Sequence, residues 1–166
     1  MIVRQPVGGS VRPGNKTINM LPIKTDLAAI PRRDLPAINE RNRFFWQSGE
    51  DGKLRFTRCN VCGYYIHPSA PVCAKCRSRD VEPAAVSGRA EVATFTINRQ
   101  AWQEGLERPF IIAVVEMEEQ EGLRLTTNIV NCSIDDVYIG MPVQVVFDHR
   151  EDVWLPLFMP IIKGES

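Results

Sequence analysis

Four cysteines in the middle of the chain carry its clearest chemistry. They read Cys59-x-x-Cys62, ten intervening residues, then Cys73-x-x-Cys76. Two CxxC pairs on neighbouring turns bring four thiolates around one point, and a closed four-cysteine shell is what a structural Zn2+ takes. The spacing fits a zinc ribbon. Gly63, directly after the first pair, permits the backbone conformation of a zinc knuckle, and Pro68 and Pro71 stiffen the excursion between the pairs. The alternatives are two disulfides or a redox pair. Nothing marks the chain as secreted, and no βαβ pattern surrounds either CxxC, so both fit poorly.

With all four positions filled by Cys, none is left for water or substrate, and the predicted metal is structural rather than catalytic. Zinc-finger peptides gain roughly 10–16 kcal/mol of apparent binding energy from such an ion, ample to order a ribbon that has little core. His67 lies between the pairs and is read as a packed or solvated side chain rather than a rival ligand.

Little else in the chain resembles a catalytic constellation. There are two histidines, His67 and His149, and neither lies in a recognisable nucleophile–base pattern. No Walker loop and no Gly-x-Gly-x-x-Gly occurs. The fifth cysteine, Cys132, ends an apolar run and reads as a small core residue. Asp135-Asp136 reads as a solvated pair in a turn, and Glu116, Glu118, Glu119 and Glu121 as an acidic, solubilising hairpin tip.

Around the metal pattern the chain divides into four stretches. Residues 1–33 read as an extended arm, broken by Pro6, Gly8-Gly9, Pro13, Pro22 and Pro31, with scattered apolar residues able to dock on a neighbour. Residues 34–52 read as a helix over 34–48, capped by Asp34, followed by a turn. The run Phe44-Phe45-Trp46 cannot face one small core with all three rings. It either wraps over the rest of the chain or meets another subunit, where aromatics are enriched.

Residues 53–86 form the predicted zinc ribbon, with Leu54 and Phe56 on one side of its first strand and Tyr64 and Tyr65 covering the metal. From residue 87 to 166 the pattern is all β. Ala90–Asn98, Phe110–Glu118, Leu123–Cys132 and Val143–Asp148 are rich in Val, Ile, Thr and Phe and broken by turn residues, and Trp154–Phe158 is a short closing strand that Pro156 restricts. Five short strands with one longer connection predict a small closed barrel of the OB type. The expected fold is therefore mainly β: N-terminal arm and helix, four-cysteine zinc ribbon, then a small OB-fold β-barrel.

Composition bounds the function class. The chain has 166 residues and 44% hydrophobic content, within the globular range. Its 20 basic and 20 acidic side chains cancel, which argues against a free-standing nucleic-acid binder. No apolar run approaches the ~20 residues of a membrane span, and the N-terminus lacks a signal-peptide core, so a cytoplasmic setting is expected.

In order and spacing, these segments resemble the zinc-ribbon/OB-fold proteins that accompany acyl-CoA enzymes, catalogued as domain of unknown function 35. The stretches that carry the resemblance are Phe44-Phe45-Trp46, Leu54–Cys62, Pro71–Cys76, Ser87–Val92, Pro109–Glu116, Leu125–Val130 and Ile139–Val145. The resemblance covers about residues 38–160 and leaves out the arm. It implies a non-catalytic accessory subunit of a thiolase-family enzyme, a thiolase or retro-aldolase acting on an acyl-CoA carbon–carbon bond. The partner would be a thiolase-fold catalytic subunit in a heterotetramer, with the coenzyme A thioester as ligand of the complex.

Arg89, Arg99, Arg108 and Arg124 are candidates for CoA phosphates by charge alone, and ordinary surface arginines is the simpler reading. The alternatives are an accessory subunit of a hotdog-fold enoyl-CoA hydratase, a single-stranded nucleic-acid-binding OB module, and an independent enzyme using Cys132 or His149.

Overall fold

A computed structural model describes residues 34–101 and 109–161. The arm over 1–33 and Arg108 lie outside the described residues. The helix expected over 34–48 is one short α-helix, α1 (Arg43–Trp46), followed by a 3-10 turn over Ser48–Asp51. Asp34 does not cap it. Asn39 and Asn42 instead hold a turn before the helix: Asn39 Oδ1 accepts from the Arg41 N–H at 2.9 Å, and Asn42 Oδ1 from the Asn39 N–H at 2.7 Å. Asparagine side chains that bond nearby backbone compete with helix, which explains the late start.

Three strands follow: β1 (Arg55–Cys59), β2 (Tyr65–Ile66) and β3 (Val81–Ala85). They form an antiparallel sheet in the order β2-β1-β3, so β2 is an edge. Then come β4 (Arg89–Asn98), β5 (Phe110–Met117), β6 (Arg124–Ile129), β7 (Pro142–Arg150) and β8 (Val153–Pro160). These close into a barrel in the order β4-β5-β6-β8-β7, the five-stranded architecture expected.

Period-two patterning builds the barrel. Along β5, Ile111, Ala113, Val115 and Met117 are buried, while Phe110, Ile112, Val114 and Glu116 are half-exposed. Strand β4 changes face midway. Ala90 and Val92 point into the core, but the register shifts between Val92 and Thr94, and Ala93, Phe95 and Ile97 become the more buried set. One bulged residue inverts the alternation of everything after it.

Pro156 lies inside β8, opposite Phe147 of β7, rather than at an edge. The pairing of β8 with β6 is sparse and parallel, registered at Ile129 and Phe158, and the Thr127 hydroxyl donates to the Pro156 carbonyl at 2.8 Å. A strand interrupted by proline is tolerated where side chains replace ladder bonds.

The core runs on beyond the barrel. Phe158, Val115 and Val143 are fully buried, and the same cluster takes in Phe45, Leu54 and Phe56 from α1 and the start of the ribbon. Two glycines permit this close packing. A Cβ on Gly49 would lie 2.6 Å from Trp154 Cβ, and one on Gly88 would lie 2.4 Å from Val145 Cγ1. Gly88 also has φ +76°, a left-handed conformation that favours glycine, at the joint between ribbon and barrel.

Candidate metal centre

The two CxxC turns are built alike. Gly63 N–H donates to the Cys59 carbonyl at 2.8 Å, and Arg77 N–H to the Cys73 carbonyl at 2.9 Å. Cys59 N–H reaches the Tyr64 carbonyl at 2.9 Å, and Cys73 N–H the Ser78 carbonyl at 2.8 Å. Gly63 and Arg77 hold matching positions, with φ +74° and +62°. The glycine is legible in the sequence; the arginine is not, because a side chain in this region costs about 1 kcal/mol or more and is uncommon. Asn60 ties the two turns together, its N–H on the Asp80 carbonyl at 3.0 Å and its Nδ2 on Asp80 Oδ1 at 2.8 Å.

These turns bring the four thiols to one point. The Sγ atoms of Cys59, Cys62, Cys73 and Cys76 all lie within 4.8 Å of one another, with Cys59–Cys76 at 3.5 Å and Cys62–Cys73 at 3.6 Å. A tetrahedron of sulfurs with Zn–S bonds of about 2.3 Å has edges of roughly 3.8 Å, so the donor set fits Zn2+ in size and chemistry.

Backbone N–H groups aimed at sulfur favour thiolate. Those of Cys62 and Val61 draw the Cys59 thiol below its usual value against the opposing effect of burial. Those of Cys76 and Lys75 bring Cys73 down to about 7. Cys76 accepts the Ser78 N–H, yet partial desolvation of its sulfur and the three neighbouring thiols push it up to about 12. Cys59 and Cys73 are thus drawn toward thiolate, the form in which cysteine binds a metal, while Cys76 holds its proton until a cation replaces it. Cys59 and Cys73 are fully buried and Cys76 is at the surface.

The residues around the thiols divide between ribbon and barrel. Tyr64 packs against the small cluster of Cys59, Ile66 and Cys73, on the metal side of the ribbon as expected. Tyr65 does not join that cluster; it packs against the core that ribbon base and barrel share, because Tyr65 and Ile66 of β2 face opposite ways. His67 stands apart from the sulfurs, its ring 5.2 Å from Phe45 and 4.9 Å from Phe56, and burial holds it below its ordinary value of 6.5. Phe45 is buried and meets Trp46 edge-on at 4.8 Å. Phe44, Trp46, Phe56, Ile66 and His67 line a small apolar pocket of about 140 Å³ beside the ribbon.

Other sequence candidates take structural partners. Cys132 is half-buried, its Sγ donates to the Ser133 carbonyl at 3.3 Å, and burial raises its thiol. His149 stacks on Trp154 with centroids 4.0 Å apart. Asp135 and Asp136 are exposed. Arg89 pairs with Glu118 at 3.4 Å and Arg124 with Glu116 at 2.6 Å, while Arg99 is exposed. The acidic hairpin is thus more than a solubilising tip. The Ser87 N–H donates to Glu119 Oε1 at 2.5 Å, and Gln120, which sequence reasoning misses, bonds Tyr65 at both backbone groups. A glutamine in a polar turn carries no sign of the strand edge it will meet.

Among the described residues no helix is long and apolar enough to cross a membrane.

Comparison with known proteins agrees with this architecture. Residues 46–82 match the family model described as the ChsH2 rubredoxin-like zinc ribbon domain, and residues 84–148 the ChsH2 C-terminal OB-fold domain. The chain is 34% identical over 137 residues to a probable enoyl-CoA hydratase alpha subunit of Thermomonospora curvata, covering 81% of this chain and 42% of that protein. It therefore spans less than half the length of that relative. A DUF35 domain-containing scaffold protein of Pyrococcus furiosus is 32% identical over 112 residues, covering 62% of this chain and 80% of that one. The solved structure of an Ltp2-ChsH2(DUF35) aldolase contains a chain that superposes with a TM-score of 0.68 at 31% identity, over 76% of this chain and 98% of that chain. Cysteine pairs, ribbon sheet, closed barrel and these matches together show that the chain belongs to the DUF35 family of ChsH2-type zinc-ribbon/OB-fold proteins.

Proposed function

We propose that the chain is a non-catalytic accessory subunit of a thiolase-family enzyme, a thiolase or retro-aldolase acting on an acyl-CoA carbon–carbon bond. In this reading Cys59, Cys62, Cys73 and Cys76 hold one structural Zn2+, which orders the ribbon and takes no part in the reaction. The observation that carries the proposal is the match of 76% of this chain to 98% of a chain in an Ltp2-ChsH2(DUF35) aldolase. The partner would be a thiolase-fold catalytic subunit, in a heterotetramer, supplying the reacting groups and most of the acyl-CoA site in the cytoplasm.

The chain's own residues fit a supporting role. The ribbon and barrel share one core, and the apolar pocket beside Trp46 offers an interaction surface next to the ribbon. Aromatic side chains at such a place are common anchors for a partner.

A second reading has its own support. The Thermomonospora relative is named as a hydratase alpha subunit, so the same module would serve an enoyl-CoA hydratase of the hotdog type. Co-purification from the native cell, followed by mass spectrometry of the bound chains, separates the two. A thiolase-fold protein in near-equal amount is expected. A hotdog protein in its place would move the assignment to hydration, and a chain that emerges alone would overturn both.

A further inference from the structure

The edge of the ribbon sheet is finished by a side chain from the barrel. Strand β2 pairs with β1 on one side, and its other side would expose the backbone of Tyr65. Gln120, in the turn joining β5 to β6, occupies that position like a short piece of strand. Its Oε1 accepts the Tyr65 N–H at 2.7 Å and its Nε2 donates to the Tyr65 carbonyl at 3.1 Å. A primary amide is the side chain that can satisfy both backbone groups at once.

The turn is fixed from the barrel side as well. Glu119 takes the Ser87 N–H between β3 and β4, Glu118 pairs with Arg89, and the Glu118 N–H bonds the Arg89 carbonyl at 3.1 Å. On the ribbon side, Tyr65 is three residues from Cys62, and the Tyr64 carbonyl accepts the Cys59 N–H. A continuous run of backbone and side-chain bonds therefore leads from the first cysteine pair to the β5–β6 turn.

We propose that Gln120 is a positioning residue for the metal centre, which couples zinc occupancy of the ribbon to the order of the acidic β5–β6 turn. This rests on the reading of the four cysteines as zinc ligands. With zinc in place the first knuckle sets Tyr65, and Tyr65 holds Gln120. Without it β2 loosens and Gln120 loses its partner, so the tip of the turn at Gln120 and Glu121 is held only through the barrel-side bonds of Glu118 and Glu119. Linkage makes the coupling reciprocal: whatever zinc contributes to the order of the turn, Gln120 contributes to zinc affinity.

The test uses the full chain. Zinc content of the wild type by elemental analysis comes first, and a wild type that binds no zinc removes the ligand assignment and the coupling together. Zinc affinity is then measured by competition with a chromophoric chelator for the wild type, Gln120→Ala, Gln120→Glu and Glu121→Ala. Amide exchange over 118–123 is followed with and without zinc. Gln120→Ala is expected to weaken zinc by at least about 5-fold, the lower end of ordinary coupling between sites. Gln120→Glu keeps the acceptor but loses the donor and falls between. Glu121→Ala, exposed in the same turn, stays at the wild-type value.

Exchange in the turn is expected to quicken on zinc removal in the wild type and to be insensitive to zinc in Gln120→Ala. If the wild type binds zinc tightly, but Gln120→Ala keeps its affinity and the turn ignores zinc removal, the coupling is wrong while the zinc assignment stands.

Discussion

The ribbon and the barrel solve the same problem with different materials. At the far end of the ribbon the buried set is Cys59, Ile66 and Cys73, with Tyr64, Ala70 and Val81 packed at the margin. The barrel buries a continuous apolar cluster that includes Val92, Ile111, Val115, Val143 and Phe158. Full burial of a single Phe or Ile contributes roughly 1.5–3 kcal/mol, so a barrel of this kind can repay its ordering entropy from packing. A sheet with three short strands and so few apolar contacts cannot, and a metal shell is the available substitute. The two meet at Leu54, just before β1, and Phe56, within it, both of which belong to the same core cluster as the barrel residues. Order in the ribbon should therefore depend on metal toward its tip and on packing toward its base.

The largest effect expected from this contrast is loss of the metal shell. Cys73→Ser, at a fully buried thiol, should abolish stoichiometric zinc and remove amide protection from residues 59–80 while leaving the barrel strands protected. Hydrogen exchange with elemental analysis reads both, and a ribbon that stays ordered without metal would erase the distinction between the two regions. Next is the converse change. Phe158→Ala should cost about 3–5 kcal/mol in the barrel by opening a cavity, with a lowered thermal transition. Zinc content before that transition should be unaltered.

A smaller effect tests the joint. Gly88→Ala places a Cβ against Val145 in a left-handed backbone, and a penalty of about 1–3 kcal/mol is expected in chemical denaturation. An alanine tolerated there would mean that ribbon and barrel meet more loosely than the packing shows.

The smallest effect concerns pH. Burial lowers the His67 pKa in the fold, so the imidazole is neutral between Phe45 and Phe56. The folded state then binds fewer protons than the unfolded chain. The stability from this group is fully present above the ordinary value of 6.5 and declines as pH falls from there through the depressed folded pKa. The slope for one such group stays below about 1.4 kcal/mol per pH unit. Melting temperatures across this range for the wild type and His67→Phe check it, and parallel profiles would remove His67 from the account.

Much of this architecture is legible in local pattern. The cysteine spacing points to a metal centre because CxxC is a local geometry: four residues of one turn place two sulfurs together whatever surrounds them. The barrel strands are legible because alternation over five or more residues reports a half-buried strand. Legibility fails where a residue answers to a distant partner. Gly49 looks like an ordinary turn glycine, but its absent side chain makes room for Trp154 and Phe147. The helix of 34–48 looks continuous by composition, yet Asn39 and Asn42 commit their amides to a turn and leave four residues for α1. Arg77 sits in a left-handed conformation that its type does not announce.

Neighbours within a few residues are enough to fix the inventory: four thiols at knuckle spacing, a set of period-two strands and glycines at the joints. The connections between those parts belong to the tertiary structure. It turned Tyr65 toward the barrel and Tyr64 toward the thiols, shifted the inward face of β4 at one bulge, and set Gln120 against the edge of β2. Those choices depend on contacts as far as 55 positions apart in the chain, where spacing carries no signal and only the closed barrel brings the groups within reach.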